Sequence, residues 1–178
     1  MRKVLLVLLG ESGTGKTTIA NRLKEKYGLR TLLSYTTRPK RKPDENDHTY
    51  VTIGEYVLLK DKVAENKYSG YMYCSTKEQI ANSDVYVCDC PGTKMLKEEY
   101  DGDKKIVVIR LSVPREERIR RMEKDKRTLQ TITIRDIYDS KAFEEADKLA
   151  DYMMDNDDLE ETVDAIYYIY SKEREEEA

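Results

Sequence analysis

Residues 10 to 18 read GESGTGKTT, and four of them are enough to name a chemistry. Gly10, Gly15, Lys16 and Thr17 keep the spacing G-x-x-x-x-G-K-[ST] of a phosphate-binding loop. Glycines let the backbone of such a loop turn without Cβ clashes, so successive N–H groups point inward at an anion. A helix that begins near Lys16 aims its N-terminal dipole at the same anion. Lys16 then reaches the β and γ oxygens of a nucleoside triphosphate, and the Thr17 hydroxyl takes a Mg²⁺ position. The whole stretch, Gly10, Glu11, Ser12, Gly13, Thr14, Gly15, Lys16, Thr17 and Thr18, is expected to wrap the phosphates. The loop alone names no substrate, because ATPases, GTPases and small-molecule kinases share it. The N-K-x-D motif of a guanine-reading GTPase is not found in the sequence.

A second concentration of anion-binding side chains lies at residues 34 to 50, SYTTRPKRKPDENDHTY. Arg38 and Arg41, with Ser34 upstream and Tyr50 downstream, have the donors for a second phosphate, since guanidinium groups hold phosphate oxygens by charge-assisted, bidentate bonds. On residue types alone a solvated basic loop reads equally well. Other chemistries have little to draw on. His48 is the only histidine, so a His-centred triad is not expected. Cys74, Cys88 and Cys90 are odd in number and lack a CxxC pair, which fits reduced thiols in the cytoplasm better than a disulfide framework or a metal site. The net charge of −3, from 32 basic and 35 acidic residues, does not suggest a general nucleic-acid or membrane surface.

These residues need a frame, and the alternation of apolar and polar segments supplies one. VLLVLL before the loop reads as a buried parallel strand; its six residues fall short of the roughly 7 to 15 of a signal-peptide core. TTIANRLKEKYG follows as a helix stopped by Gly28, then TLLSYTT as a strand. Residues 38 to 80 read as a small inserted lobe with a short strand near HTYVT, a helix in GEYVLLKDKVAEN and the tyrosine-rich segment YSGYMYCST. DVYVCD and KKIVVIRL return to strands, the first ending at Asp89 and with PGTKMLKEEY between them as a short helix. PREERIRRMEKDK opens a basic helix at Pro114, IRDIYDSKAFEEADKLA is a further helix, DYMMD a last strand and LEETVDAIYYIYSK a closing helix. The tail EREEEA reads as a solvated charge run. Strand–helix alternation over 178 residues implies one three-layer α/β domain with a mainly parallel central sheet. No segment is long enough to span a membrane.

The stretch Ser34, Thr36, Thr37, Arg38, Arg41, Asn46, Tyr50 resembles, in register, the pattern S-x-T-T-R-x-x-R-x-G-E-x-[DN]-G-x-x-Y of the guanylate kinases. The resemblance runs from about residue 4 to 170 and implies a P-loop kinase fold with an inserted lobe for the nucleoside monophosphate, residues 35 to 81, and a short lid, residues 118 to 135. It implies that Ser34, Arg38, Arg41 and Tyr50 hold the GMP phosphate. GYMYCST resembles the family's N-Y-Y-G-[ST], which puts Tyr73 on that phosphate and Ser75 on guanine O6. Departures cluster in the same parts: Pro43, Asp44 and Asp47 replace the family's glycine, glutamate and second glycine, and Cys74 stands for a glycine. The family's base-reading glutamate aligns with Ala64, and Glu65 beside it is the candidate, with Asp44 a further carboxylate for the base. Asp89 matches the second aspartate of D-x-D-x-x-G, which suggests a group near Mg²⁺, the base or Lys16; a strand-end cap is the plainer alternative. Arg121 matches the first lid arginine, Arg127 replaces the second, whose position Asp125 holds, and Arg135 resembles the later one. Asn156 in DNDD is expected near the adenine.

The expectation is therefore a guanylate kinase-like enzyme that moves the ATP γ-phosphate to GMP or dGMP with Mg²⁺. Lys16, Arg38, Arg121, Arg127 and Arg135 would carry catalysis, and Thr17 and Asp89 would serve the metal, partly through water. The expected partners are small nucleotides, not nucleic acid or membrane, and the protein is expected to be a cytoplasmic monomer or homodimer. A same-fold kinase with another acceptor, and a guanylate-kinase-like module that binds a phosphorylated partner without catalysis, remain as alternatives.

Overall fold

The computed structural model describes residues 1–175. The elements run β1 (Lys3–Leu9), α1 (Lys16–Tyr27), β2 (Thr31–Leu32), β3 (Tyr35–Thr36), β4 (Thr49–Tyr50), α2 (Ile53–Leu58), β5 (Lys62–Tyr68), β6 (Tyr71–Thr76) and α3 (Lys77–Ala81). They continue with β7 (Val85–Val87), α4 (Cys90–Glu99), β8 (Lys104–Ser112), α5 (Arg115–Lys124), α6 (Leu129–Ala142), α7 (Ala146–Leu149), β9 (Tyr152–Asp155) and α8 (Leu159–Glu175). β2, β7, β1, β8 and β9 form, in that order, a parallel central sheet. β4, β3, β6 and β5 form a second, mixed sheet in the inserted lobe.

The uninterrupted apolar run of β1 follows from its central place, with helices covering both faces. Val4, Leu6 and Leu8 pack with Ile19 and Leu23 of α1 and Val163 and Ile166 of α8. Leu5, Val7 and Leu9 pack with Ile80, Leu96 and Val108 on the other face. Full burial of each leucine contributes about 1.5–3 kcal/mol, so β1 is a stiff base for the loop that leaves its C-terminal end. α1 ends at Gly28, whose φ of 71° and N–H bond to the Lys24 carbonyl make a left-handed cap.

Four local readings change. TLLSYTT is two strands in two sheets: Leu32 is buried beside Tyr86 in the core, after which polar Ser34 and Thr36 leave the apolar layer and Tyr35 pairs with Cys74. GEYVLLKDKVAEN is helical only to Leu58. A capping box between Thr52 and Glu55 starts α2, Asp61 turns with φ 51°, and the remainder is β5. Its strand alternation was hidden by a bulge: Val63 faces Ser75 but Asn66 faces Tyr73, so one extra residue shifts the pattern. The strand DVYVCD ends at Val87, two residues before the expected Asp89, which instead caps α4 at Cys90. The tail also reads differently as far as Glu175. Glu173 is buried, accepts a bond from Tyr152 Oη at 2.7 Å and pairs with Lys105; residues 176–178 lie outside the described chain. Among the described residues no helix is long and apolar enough to cross a membrane, and the three cysteines are buried free thiols.

Candidate active site

The loop after β1 turns on Gly13 and Gly15, with φ of +85° and +91°. Both also leave no room for a side chain: a Cβ would lie 2.6 Å from the Arg118 carbonyl at Gly13 and 2.6 Å from Asn156 Nδ2 at Gly15. Thr14, fully buried, ties the loop to itself through Oγ1 and the Glu11 carbonyl at 2.8 Å. Asn156, at the end of β9, donates to the Thr14 carbonyl at 2.8 Å, and its own carbonyl accepts from Arg121 at 3.1 Å. On the other side Asp139 of α6 accepts the Ser12 N–H at 2.6 Å, and Arg110 pairs with Glu11 at 2.8 Å. Lys16 Nζ spans the loop, bonded to the Gly10 and Glu11 carbonyls at 2.5 and 2.9 Å. Its burial pushes the ammonium down to about 8, against the opposing pull of Asp139 and Glu11.

Two cavities meet at this lysine. One, of about 410 Å³, is lined by Gly13, Gly15, Lys16, Thr17, Thr18, Arg121, Arg127 and Asn156, among others. The other, of about 230 Å³, lies between the two sheets and includes Gly10, Lys16, Ser34, Arg38, Arg41, Tyr73, Asp89 and Arg135. The anion-binding groups of the second are already engaged. Glu45 receives Arg38 at 3.1 Å and Arg41 Nε at 2.7 Å, and Tyr50 Oη accepts from Arg38 at 3.0 Å and donates to Asp47 at 2.5 Å. Burial would raise the Glu45 carboxyl, but the hydrogen bonds from Arg38 and Arg41 outweigh it and hold it below the usual carboxylate range. Ser34 Oγ sits 2.9 Å from His48 Nδ1, and burial pushes the imidazole toward its neutral form.

Four expected base or phosphate contacts do not line the cavity, and one of them is Tyr50, which is drawn to Arg38 and Asp47. Asp44 is exposed, and its neighbour Glu45 takes the arginines instead. Glu65 faces away, because the bulge at Ala64 (φ 52°) turns its carboxylate to Tyr56 Oη at 3.1 Å and toward Lys62. Ser75 is fully buried and donates to the Val63 carbonyl at 3.3 Å. In their stead Ala64 and Asn66 line the pocket, and Asn66 Nδ2 donates to Asp89 Oδ2 at 2.5 Å. Asp89 is at once a pocket residue and the N-cap of α4, accepting the Gly92 N–H at 2.9 Å. Burial raises its carboxyl above the ordinary value, against those bonds. Asn66, His48, Asp139 and Glu45 were missed by the sequence reading. Asn66 alone had a signal: it lies two residues past Ala64, the position where a base-reading acid was expected.

Of the three arginines expected in a lid, Arg121 and Arg127 face the larger cavity and Arg135 the smaller. Arg121 is held by Glu117 at 3.1 Å, Arg127 lies 3.5 Å from Asp125, and Arg135 stacks over the Tyr68 ring at 4.7 Å. Arg135 and Asp139 are one turn apart on α6, so the helix that carries a lid cation also grips the phosphate loop.

The sequence pattern of the family described as guanylate kinase matches residues 2–173. The chain belongs to the guanylate kinase family. It is 30% identical to the guanylate kinase of Anaplasma phagocytophilum (strain HZ) over 96% of this chain and 87% of that one. It is 34% identical to that of Wolbachia sp. subsp. Brugia malayi (strain TRS) over 96% of this chain and 93% of the relative. The crystal structure of guanylate kinase from Anaplasma phagocytophilum superposes with a TM-score of 0.67 at 24% identity, covering 98% of this chain and 88% of that one, and so shares the fold. In this guanylate kinase-family chain the phosphate loop and the paired arginines keep the family spacing, and Ala64 and Cys74 depart from it.

Proposed function

We infer that the protein is an ATP-dependent guanylate kinase, transferring the γ-phosphate of ATP to GMP or dGMP. The observation that carries the reading is the position of Lys16, whose side chain borders both cavities. A triphosphate held by the loop and a monophosphate held by Arg38 and Arg41 would meet at one ammonium group. The acceptor phosphate oxygen is itself the nucleophile, so the reaction needs orientation and charge neutralisation and no strong base. That agrees with a pocket whose single histidine is driven toward its neutral form by burial. The chemistry proposed is in-line transfer. Arg38 and Arg41, with Ser34, Tyr50 and Tyr73 around them, orient the acceptor. Lys16, Arg121, Arg127 and Arg135 offset the charge that spreads over the moving phosphoryl group, and Asn156 supports the donor side.

The residues suit a Mg²⁺ that arrives with the nucleotide. Thr17 offers an exposed hydroxyl at the first turn of α1, and among the described residues no cluster of three acidic, His or Cys side chains forms a protein-built metal cage. Mg²⁺ of this kind takes few protein ligands and keeps waters and phosphates. Thr17 would bind it directly and Asp89, already bonded to Asn66 and Gly92, through water. When bound, the ion would supply positive charge to offset the negative charge of the phosphates. The test is a coupled assay for ADP release with ATP, Mg²⁺ and each common NMP and dNMP. Turnover with GMP or dGMP is expected, with kcat/KM lower by about 10³-fold in Lys16→Ala and Arg38→Ala, the scale set by losing one charge-stabilising group. Turnover confined to another base would keep the kinase and overturn the acceptor. A folded protein that binds ATP and phosphorylates none of them would favour the binding module.

A further inference from the structure

We propose that Asn66, held by Asp89, is the residue that reads the Watson–Crick edge of the acceptor base in this chain, in the place where a carboxylate was expected. The proposal rests on the guanylate kinase reading and assigns its base contact. Asn66 and Asp89 lie together on the wall of the smaller cavity, which Arg38 and Arg41 also line. The amide is oriented: Nδ2 donates to Asp89 Oδ2 at 2.5 Å. Its Oδ1 is neither buried nor bonded to any group among the described residues, so it is free to accept. The nearest carboxylate in sequence, Glu65, is excluded by the bulge that sends it to Tyr56. Ala64, the residue in register with the expected acid, has no polar atom beyond its backbone and contributes only apolar wall.

Two acceptors therefore face the base, Asn66 Oδ1 and the carboxylate of Asp89. A pair of acceptors suits an edge that presents donors. Guanine offers two adjacent donors there, N1–H and N2–H; hypoxanthine offers N1–H alone; adenine sets a lone pair at N1, which an acceptor repels, beside its N6–H donor. The order GMP, then IMP, then AMP follows. Because an amide oxygen is neutral, its bonds lack the charge assistance that roughly doubles the strength of a carboxylate's. The chain thus prefers guanine by a smaller margin than an acid would give.

The experiment measures kcat and KM for GMP, IMP and AMP in the wild type, Asn66→Ala, Asn66→Leu and Glu65→Ala, with KM for ATP and the melting temperature as controls. In both Asn66 variants KM for GMP is expected to rise about 10-fold, the loss of one hydrogen-bonded contact, with kcat and KM for ATP little changed. The GMP/IMP ratio of kcat/KM should fall toward one in the same variants and hold in Glu65→Ala. A purely structural role would not move that ratio. An unchanged ratio in Asn66→Ala and Asn66→Leu, or a collapsed ratio in Glu65→Ala, overturns the proposal. If the wild type turns over none of the three, calorimetric binding of GMP and IMP to the same variants decides it. GMP binding indifferent to Asn66, or no GMP binding at all, then overturns it, and the second result alone also overturns the guanine acceptor.

Discussion

Two side chains set how this site responds to its solution. Lys16 carries a pKa lowered to about 8 by burial. A bound phosphate favours the charged form, so the complex keeps its proton where the free protein has begun to lose it. Below about pH 8 both states are protonated and affinity for ADP is flat; above it the free state is increasingly neutral, and Kd should rise toward tenfold per pH unit. Calorimetric titration of ADP across that range checks the bend, which Lys16→Ala should lack. Glu45 works in the opposite sense. Its side chain and that of Arg38 are only 12% and 13% exposed, and it occupies the groups that a substrate phosphate would use. Glu45→Gln should cost about 1–2 kcal/mol of stability through loss of a charge-assisted pair. It should also enlarge the rise in melting temperature that GMP produces, because less internal anion has to be displaced. Since the folded carboxyl titrates below its ordinary 4.5, the stability difference between the two proteins is full above that pH and shrinks as pH falls below it.

At the scale of elements, the loop is held from outside as much as by its own turns. α5 approaches so closely that Gly13 has the Arg118 carbonyl where a Cβ would be, at 2.6 Å, and its φ is +85°. Gly13→Ala must therefore either push α5 away or leave the left-handed region, and both open the phosphate cradle. The expected outcome is a melting temperature several degrees lower, at a cost of about 1–3 kcal/mol, and kcat/KM for ATP down by more than about 10-fold. A variant with wild-type values in thermal melts and the coupled assay would sink this account. The same elements explain what the sequence could and could not disclose. β1, α1 and α8 carry strong periodicity and clear stops, and the loop between β1 and α1 has a spacing that only one conformation satisfies. The paired arginines were placed only by the family resemblance, since their residue types alone also fit a solvated basic loop; the structure puts both on the wall of the smaller cavity. β5 was not legible, since a bulge at Ala64 breaks the two-residue alternation and, by turning Glu65 outward, also moves the base contact to Asn66. Asp139 lay beyond reach for another reason: its bond to Ser12 joins residues 127 apart, and no local pattern encodes that.

Over the whole molecule, catalysis requires two sheets with different anchors to present their ligands to each other, and α6 is the element that spans them. Its Asp139 holds the phosphate loop of the central sheet. One turn earlier Arg135 lies over the ring of Tyr68, at the tip of the β5–β6 hairpin, and Tyr138 meets the same ring edge-on at 4.7 Å. Arg135, the phosphate loop and the β5–β6 hairpin are thus linked through one helix and one tyrosine. An edge-on aromatic pair and an exposed cation–π contact contribute together about 1–2.5 kcal/mol. That energy lies outside the core of the central sheet, since Tyr68 belongs to neither of its layers. It bears instead on the angle between lobe and core. Tyr68→Ala should lower the melting temperature by a few degrees, as the loss of about 1–2.5 kcal/mol implies for a chain of this size, and leave KM for ATP unchanged. It should lower kcat/KM for GMP by about 10-fold, as the acceptor lobe loses its register with the lid arginine. Tyr68→Phe retains the ring and should restore kcat/KM for GMP. Loss of ATP affinity in Tyr68→Ala would mean that the tyrosine acts on the donor loop through Asp139, and loss of activity in Tyr68→Phe would assign the work to its hydroxyl; either result would sever the proposed link between lobe and lid.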